Sequence, residues 1–252
     1  MIKASLFATC LVDQVYPQVG VSTVRLLRRL GVDVDFPTGQ TCCGQPAFNT
    51  GYASQARPLA LRWLELFQQS QYVVVPSGSC AAMLKIHAPE LFADDPALVA
   101  RARDLASRTY ELSQFLVDVL HVTDVGATFQ GKVTYHPACH LLRDLRATTQ
   151  AQRLIQSVRG AQYVELPNAE ECCGFGGTFA VKYPDISTAI LEGKLQAIEA
   201  SGADAVVACD MGCLMHIGGA MSRRGMKAKV MHLVELLDAP HPGLPPQGGK
   251  GG

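Results

Sequence analysis

Several classes of protein are excluded by what this chain lacks. It has no excess charge of either sign, with Lys plus Arg and Asp plus Glu at 22 each. No basic stripe supplies the counterion release that drives nucleic-acid binding, so no nucleic-acid partner is expected. Long apolar runs are missing too. Tyr72 to Val75 and Ala205 to Cys209 fall far short of the roughly 20 residues that cross a bilayer and read as buried strands, with no membrane span. Lys3 and the apolar residues up to Val12 imitate a secretory signal, but the run is short. Thr9 is also a poor residue before a lipidated Cys10, and Asp13 follows without a small-residue cleavage site, so a cytoplasmic location is expected.

A dinucleotide fingerprint is likewise absent. Gly174-Phe175-Gly176-Gly177 follows a cysteine pair rather than a bare strand, and Phe179 stands where the last glycine belongs. No flavin motif appears elsewhere. A chain without a hydride-handling cofactor is expected to relay electrons rather than to convert a substrate alone.

What the sequence does hold is a core and cysteines. Of its 252 residues 48% are hydrophobic, enough for one large domain or two small ones. The nine cysteines are Cys10, Cys42, Cys43, Cys80, Cys139, Cys172, Cys173, Cys209 and Cys213. In a reducing compartment such a set points to metal binding or catalysis rather than to disulfides, and an odd count argues against full pairing. Service as small buried hydrophobes accounts for two or three of them.

Eight of the nine fall into a repeat. Cys10, Cys42, Cys43 and Cys80 recur as Cys139, Cys172, Cys173 and Cys213, at offsets of 129, 130, 130 and 133 residues. The elements repeat with them. Each half opens with a strand, Lys3 to Thr9 or Lys132 to His136, followed by a helix over Val19 to Leu30 or Leu141 to Arg159 that stops at Gly31 or Gly160. A second strand, Val32 to Phe36 or Gln162 to Leu166, leads into the Cys-Cys-Gly turn. Then come a helix (Tyr52 to Gln69, Asp185 to Ala200), an apolar strand (Tyr72 to Val75, Ala205 to Ala208) and a third helix carrying the last cysteine.

Strands alternating with helices predict an α/β fold of two similar halves, each a small parallel sheet flanked by helices. The cysteines then lie at the carboxyl ends of the strands, where open α/β sheets bind ligands. The divisions read as a first cysteine-rich half over 1–95, a helical connection over 96–128 and a second half over 129–239. A Pro- and Gly-rich tail over 240–252 is expected to be disordered. Lys229 to Met231 reads as a closing strand and His232 to Leu237 as a short helix.

Cysteine thiolates are the ligands of iron–sulfur clusters. Adjacent residues on a regular strand point to opposite faces, so Cys42-Cys43 and Cys172-Cys173 converge only from a turn, which Gly44 and Gly174 permit. Loop amides at Gly176 and Gly177 can face anionic sulfur. His136 and His140 flank Cys139; they are cofactor-binding candidates as donors to sulfur or proton carriers, weighed against simple packing. His216 reads as an interior histidine, and Arg143 and Arg146 as a solvated helix face.

Cys, Cys-Cys-Gly and Cys written twice resembles the duplicated cysteine-rich "CCG" domain found in heterodisulfide reductases, in the iron–sulfur components of glycolate oxidases and in the iron–sulfur components of lactate-utilisation complexes. The last group is the most similar, through Glu171 to Phe179, Tyr135 to His140 and Gly212 to Ile217. The resemblance implies a cytoplasmic iron–sulfur subunit that oxidises L-lactate to pyruvate with companions, among them a ferredoxin-type iron–sulfur protein.

One departure stands out. The heterodisulfide reductase pattern closes each half with Cys-x-x-Cys, whereas here Ser77 and Asp210 replace the first cysteine of that pair. Four thiolates per half remain, enough for an ordinary four-iron cluster, one or two per chain, whereas the unusual noncubane cluster of that pattern would need Ser77, Asp210 or Cys209 to assist. Cys209, whose first-half counterpart is Pro76, is open between a ligand and a buried strand-end residue. Two other functions compete: thiol–disulfide reduction, weakened by the lost Cys-x-x-Cys pairs, and a zinc-stabilised assembly subunit, since four thiolates also make a tetrahedral zinc site.

Overall fold

The computed structural model describes residues 1–239; the tail over 240–252 lies outside the described residues. Two four-stranded parallel sheets form the frame. The first contains β1 (Lys3–Leu6), β2 (Asp33–Asp35), β3 (Val73–Val75) and β4 (Thr109–Glu111) in the order β2-β1-β3-β4. The second contains β5 (Thr128–His136), β6 (Arg159–Tyr163), β7 (Ala205–Ala208) and β8 (Lys229–His232) in the order β6-β5-β7-β8. The two orders become identical when each strand is matched to the one four places later, so the repeat seen in the cysteines extends to the whole topology.

In the first half the helices are α1 (Cys10–Gln14), α2 (Pro17–Arg29), α3 (Gln45–Asn49), α4 (Ala53–Phe67), α5 (Gly78–Ala82), α6 (Pro96–Ser107) and α7 (Leu112–Gln114). In the second they are α8 (Cys139–Arg143), α9 (Gln150–Gln156), α10 (Thr178–Lys182), α11 (Pro184–Ser201), α12 (Met211–Arg223) and α13 (Leu233–Asp238). Local chemistry sets their ends. Pro17 and Pro184 occupy first-turn positions, where a missing N–H costs nothing. Gly202, at φ +60, closes α11 in the left-handed conformation. No helix among the described residues is long and apolar enough to cross a membrane.

The central strands β3 and β7 are covered on both faces and fully buried, which is why they read as short continuous apolar runs. One apolar cluster joins the halves, from Ala4, Val12 and Leu26 to Val133, Leu154, Val207 and Leu236. A second lies within the first half and includes Phe7, Cys43, Trp63, Phe67 and Cys80. Arg29 ties the halves at the edge by donating to the Leu237 carbonyl and the Asp238 carboxylate.

Two readings of the sequence change. The segment over 96–128, expected as a purely helical connection, supplies β4, which pairs with β3 from Val73 with Thr109 to Val75 with Glu111. It is the first-half counterpart of the closing strand β8. The single helix expected over Leu141 to Arg159 is two, α8 and α9. The chain turns between them because the Asp144 and Leu145 amides both reach the His140 carbonyl and Arg146 takes φ +53. The following strand therefore begins earlier, at Arg159, with Gly160 inside it at φ +80.

Candidate metal centre

Parallel strands place all their carboxyl ends on one edge of each sheet, and the cysteines follow those ends. Cys10 opens α1 beyond β1, the pair Cys42-Cys43 follows β2, and Cys80 lies in α5 beyond β3. Cys139, Cys172, Cys173 and Cys213 repeat the arrangement around β5, β6 and β7. The sulfurs converge: Cys10 Sγ lies 3.7 Å from Cys42 Sγ, and Cys43 Sγ 3.3 Å from Cys80 Sγ. In the second half Cys139 contacts Cys172, and Cys173 contacts both Cys172 and Cys213. All nine cysteines are free thiols.

The glycine turns aim backbone at sulfur. The Gly44 amide donates to Cys42 Sγ over 3.5 Å and the Gly174 amide to Cys172 Sγ over 3.3 Å, from φ +90 and +87. At Gly174 a Cβ would stand 2.5 Å from the Ser187 carbonyl oxygen, so only glycine fits. Within each quartet one sulfur is favoured as thiolate. Hydrogen bonds from Cys10, from Cys43 and from the Gly44 amide hold Cys42 far below the ordinary thiol range. Cys139, Cys173 and the Gly174 amide do the same for Cys172. By donating, Cys10 and Cys139 are pushed up.

Both quartets line a single cleft of about 200 Å³ between the halves, shared with Gln45, His140, Phe175, Gly177 and Met211. His136 is 1% exposed, and neither ring nitrogen has a partner among the described residues. One of its nitrogens lies within 4.8 Å of the Cys173 and Cys213 sulfurs, and burial lowers its pKa to about 3. His140 lies at the cleft with Nδ1 2.5 Å from Asp144 Oδ2. Gly176 also flanks the cleft, at φ +54.

Of the remaining candidates, Ser77 and Asp210 line the cleft and Cys209 does not. Cys209, fully buried, accepts a 3.7 Å hydrogen bond from the Tyr135 hydroxyl and does not line the cleft. Ser77 and Asp210 are the N-caps of α5 and α12. Ser77 Oγ donates to Asp210 Oδ2 over 3.0 Å, the Ser79 amide to the same oxygen over 2.9 Å, and the Gly212 amide to Oδ1 over 3.0 Å.

Three residues were not legible as part of this region. Lys194 is 1% exposed, and its Nζ donates to the Asn168 and Ala169 carbonyls at 2.9 and 3.2 Å. Ser187 donates to the Gly174 carbonyl and meets His216 Nε2 at 3.2 Å. Glu111, fully buried behind Cys209, accepts from the Ser113 amide at 2.7 Å, and burial raises it to about 7. Lys194 and Ser187 had one signal, polar residues on the face of a helix that otherwise buries Leu191, Leu195 and Ile198.

The model of the cysteine-rich domain called CCG matches residues 4–85 and 133–218, one copy in each half. Lactate utilization protein A of Oceanobacillus iheyensis is 51% identical over 94% of this chain and 97% of its own length. That of Bacillus subtilis is 49% identical over 94% of this chain and its full length. The chain belongs to the lactate utilization protein A family. A hypothetical protein from Helicobacter pylori, whose crystal structure aligns with 93% of this chain and 48% of its own, shares the fold with a TM-score of 0.65 at 9% identity. Within the lactate utilization protein A fold the donor set suits a thiolate-bound metal centre: four soft sulfurs per half, amides aimed at sulfur, and an unpartnered imidazole beside the second quartet.

Proposed function

We propose that this chain is an iron–sulfur electron-transfer subunit of an assembly that oxidises L-lactate to pyruvate. The observation that carries the reading is the pair of four-sulfur constellations facing one cleft, in a chain about half identical to lactate utilization protein A along nearly its whole length. Cys10, Cys42, Cys43 and Cys80 would hold one four-iron cluster, and Cys139, Cys172, Cys173 and Cys213 a second. Such clusters supply one-electron transfer. The chain's own work is to fix the thiolates, present the Gly44 and Gly174 amides to sulfur, and seal the sulfurs of Cys43, Cys80, Cys173 and Cys213 away from water.

Oxidation of lactate releases two electrons and two protons, and the electrons need an acceptor beyond this chain. Companion subunits, including a ferredoxin-type iron–sulfur protein, complete the assembly in this reading. Ser77 and Asp210 bind each other as helix caps, which supports four ligands per half rather than five. Protein purified anaerobically from its native host is expected to carry iron and acid-labile sulfide with a broad visible absorbance. Zinc without iron would move the assignment to an assembly subunit. Metal-free protein that sustains full lactate oxidation with its partners would end it.

A further inference from the structure

The two quartets repeat, but the residues packed behind them do not. Strand register equates Phe7 with His136, because Leu6 pairs with Val74 and Tyr135 with Val207, each one residue earlier. The glycine turns equate the long helices: Gly44 abuts Ala56 of α4 and Gly174 abuts Ser187 of α11. Seven residues onward stand Trp63 in the first half and Lys194 in the second. Behind the first quartet lie a phenyl ring, an indole and Ala56, all in one apolar cluster with Cys43 and Cys80. Behind the second lie an imidazole, an ammonium and a hydroxyl.

We propose that the two halves hold their clusters at unequal reduction potentials, the second half's higher, because Lys194 and His136 stand where the first half has Trp63 and Phe7. This rests on the function proposed above. Reduction adds an electron to a centre already anionic, so a buried cation stabilises the reduced form while an apolar wall of aromatic rings leaves its charge uncompensated. Lys194 is fixed by two carbonyls and exerts its charge on Cys172, Cys173 and Cys213. His136 and Trp63 each carry an N–H that takes no acceptor among the described residues, so the difference in charge between the two sites comes from Lys194, with His136 adding a polar ring where Phe7 is apolar.

The nearby charges of opposite sign do not cancel this difference. Glu171, beside Lys194, is exposed and screened by solvent. Asp210, which also acts on Cys213, has its charge taken up by hydrogen bonds from Ser77, Ser79 and Gly212. The first half has a partly buried lysine of its own, Lys85, but its Nζ lies at the Ala106 and Thr109 carbonyls over the Tyr110 ring, and the charges that act on Cys10 and Cys43 are those of neighbouring cysteines. Electrons arriving at the first half would therefore run downhill to the second.

An anaerobic reductive titration of the full, loaded chain followed by electron paramagnetic resonance tests the proposal. Two steps are expected; Cys43→Ser should keep the higher and Cys173→Ser the lower. Lys194→Met should lower the higher step by at least 59 mV, a tenfold change in a one-electron equilibrium, while Lys194→Arg should leave it in place. Coincident steps, a reversed assignment, or steps unmoved by Lys194→Met would overturn the proposal. Should Lys194→Met fail to fold, the assignment by the two cysteine variants decides. Iron in one half alone also overturns it and leaves the proposed function standing, whereas absence of iron from both halves ends that function first.

Discussion

Ser77 and Asp210, equivalent residues of the two halves, hydrogen-bond to each other across the interface at 3.0 Å. Each also caps the helix that carries the last cysteine of its own quartet. The same contact locks the two halves together and fixes the start of both ligand-bearing helices.

Removing this contact should therefore cost stability without costing metal. Asp210→Ala deletes an acceptor of three hydrogen bonds in a buried setting and is expected to destabilise the chain by about 3 kcal/mol in denaturant unfolding. Ser77→Ala should cost about 1 kcal/mol. Asp210→Asn, which keeps an acceptor oxygen, should retain full iron content. Loss of iron in that variant would identify Asp210 as a ligand and contradict the capping role.

Cys209 and Cys173 give a sharper contrast. Cys209→Ala leaves a small cavity beside Tyr135 and should cost about 1 kcal/mol with iron per chain unchanged. Cys173→Ser should lose the iron of the second half. Equal iron losses in the two variants would place Cys209 among the ligands.

The two glycine turns differ in tolerance. Gly174→Ala forces a Cβ to within 2.5 Å of the Ser187 carbonyl, where backbone must move, while Gly44→Ala meets the Ala56 carbonyl at 3.4 Å. Both incur the cost of a positive φ, about 1 kcal/mol. Gly174→Ala should add a steric cost and lower the thermal midpoint several degrees further than Gly44→Ala. Equal midpoints would show that the second turn can relax.

Glu111 should give stability a measurable pH dependence. Its folded pKa is raised to about 7 by burial, above the 4.5 of a free glutamate, so the fold favours its neutral form. That contribution is fully present below pH 4.5 and is lost as pH rises through 7, a change of about 3 kcal/mol. His232 has the opposite sign: burial lowers it to about 4, so its contribution is present above pH 6.5 and lost as pH falls through 4. Glu111→Gln should remove the fall between 4.5 and 7 and leave the rise with pH that buried histidine gives between about 4 and 6.5, measured by unfolding at several pH values. A profile identical to that of the unsubstituted chain would mean that Glu111 is ionised in the fold throughout.

The duplicated α/β plan and the two quartets were legible because ligand spacing and strand-ending positions are local features that repeat at a near-constant offset. The role of Cys209 was not, because whether a strand-end residue faces cleft or core depends on the register of β7 against β5. Ser77 and Asp210 looked like vacated ligand positions because the contact that occupies them joins residues 133 positions apart. Strand β4 was hidden because Thr109-Tyr110-Glu111 is too short to show alternation, and only pairing with β3 defines it. Lys194 reads as a surface lysine until the carbonyls of Asn168 and Ala169 are seen to receive it.

Each half is expected to bind an iron–sulfur cluster through its four repeated cysteines. Iron and sulfide analysis of the anaerobically prepared chain beside Cys43→Ser and Cys173→Ser decides it. About four irons per half are expected, with each variant losing one half's share and keeping the other's. Zinc in place of iron, or iron content indifferent to both substitutions, would contradict it.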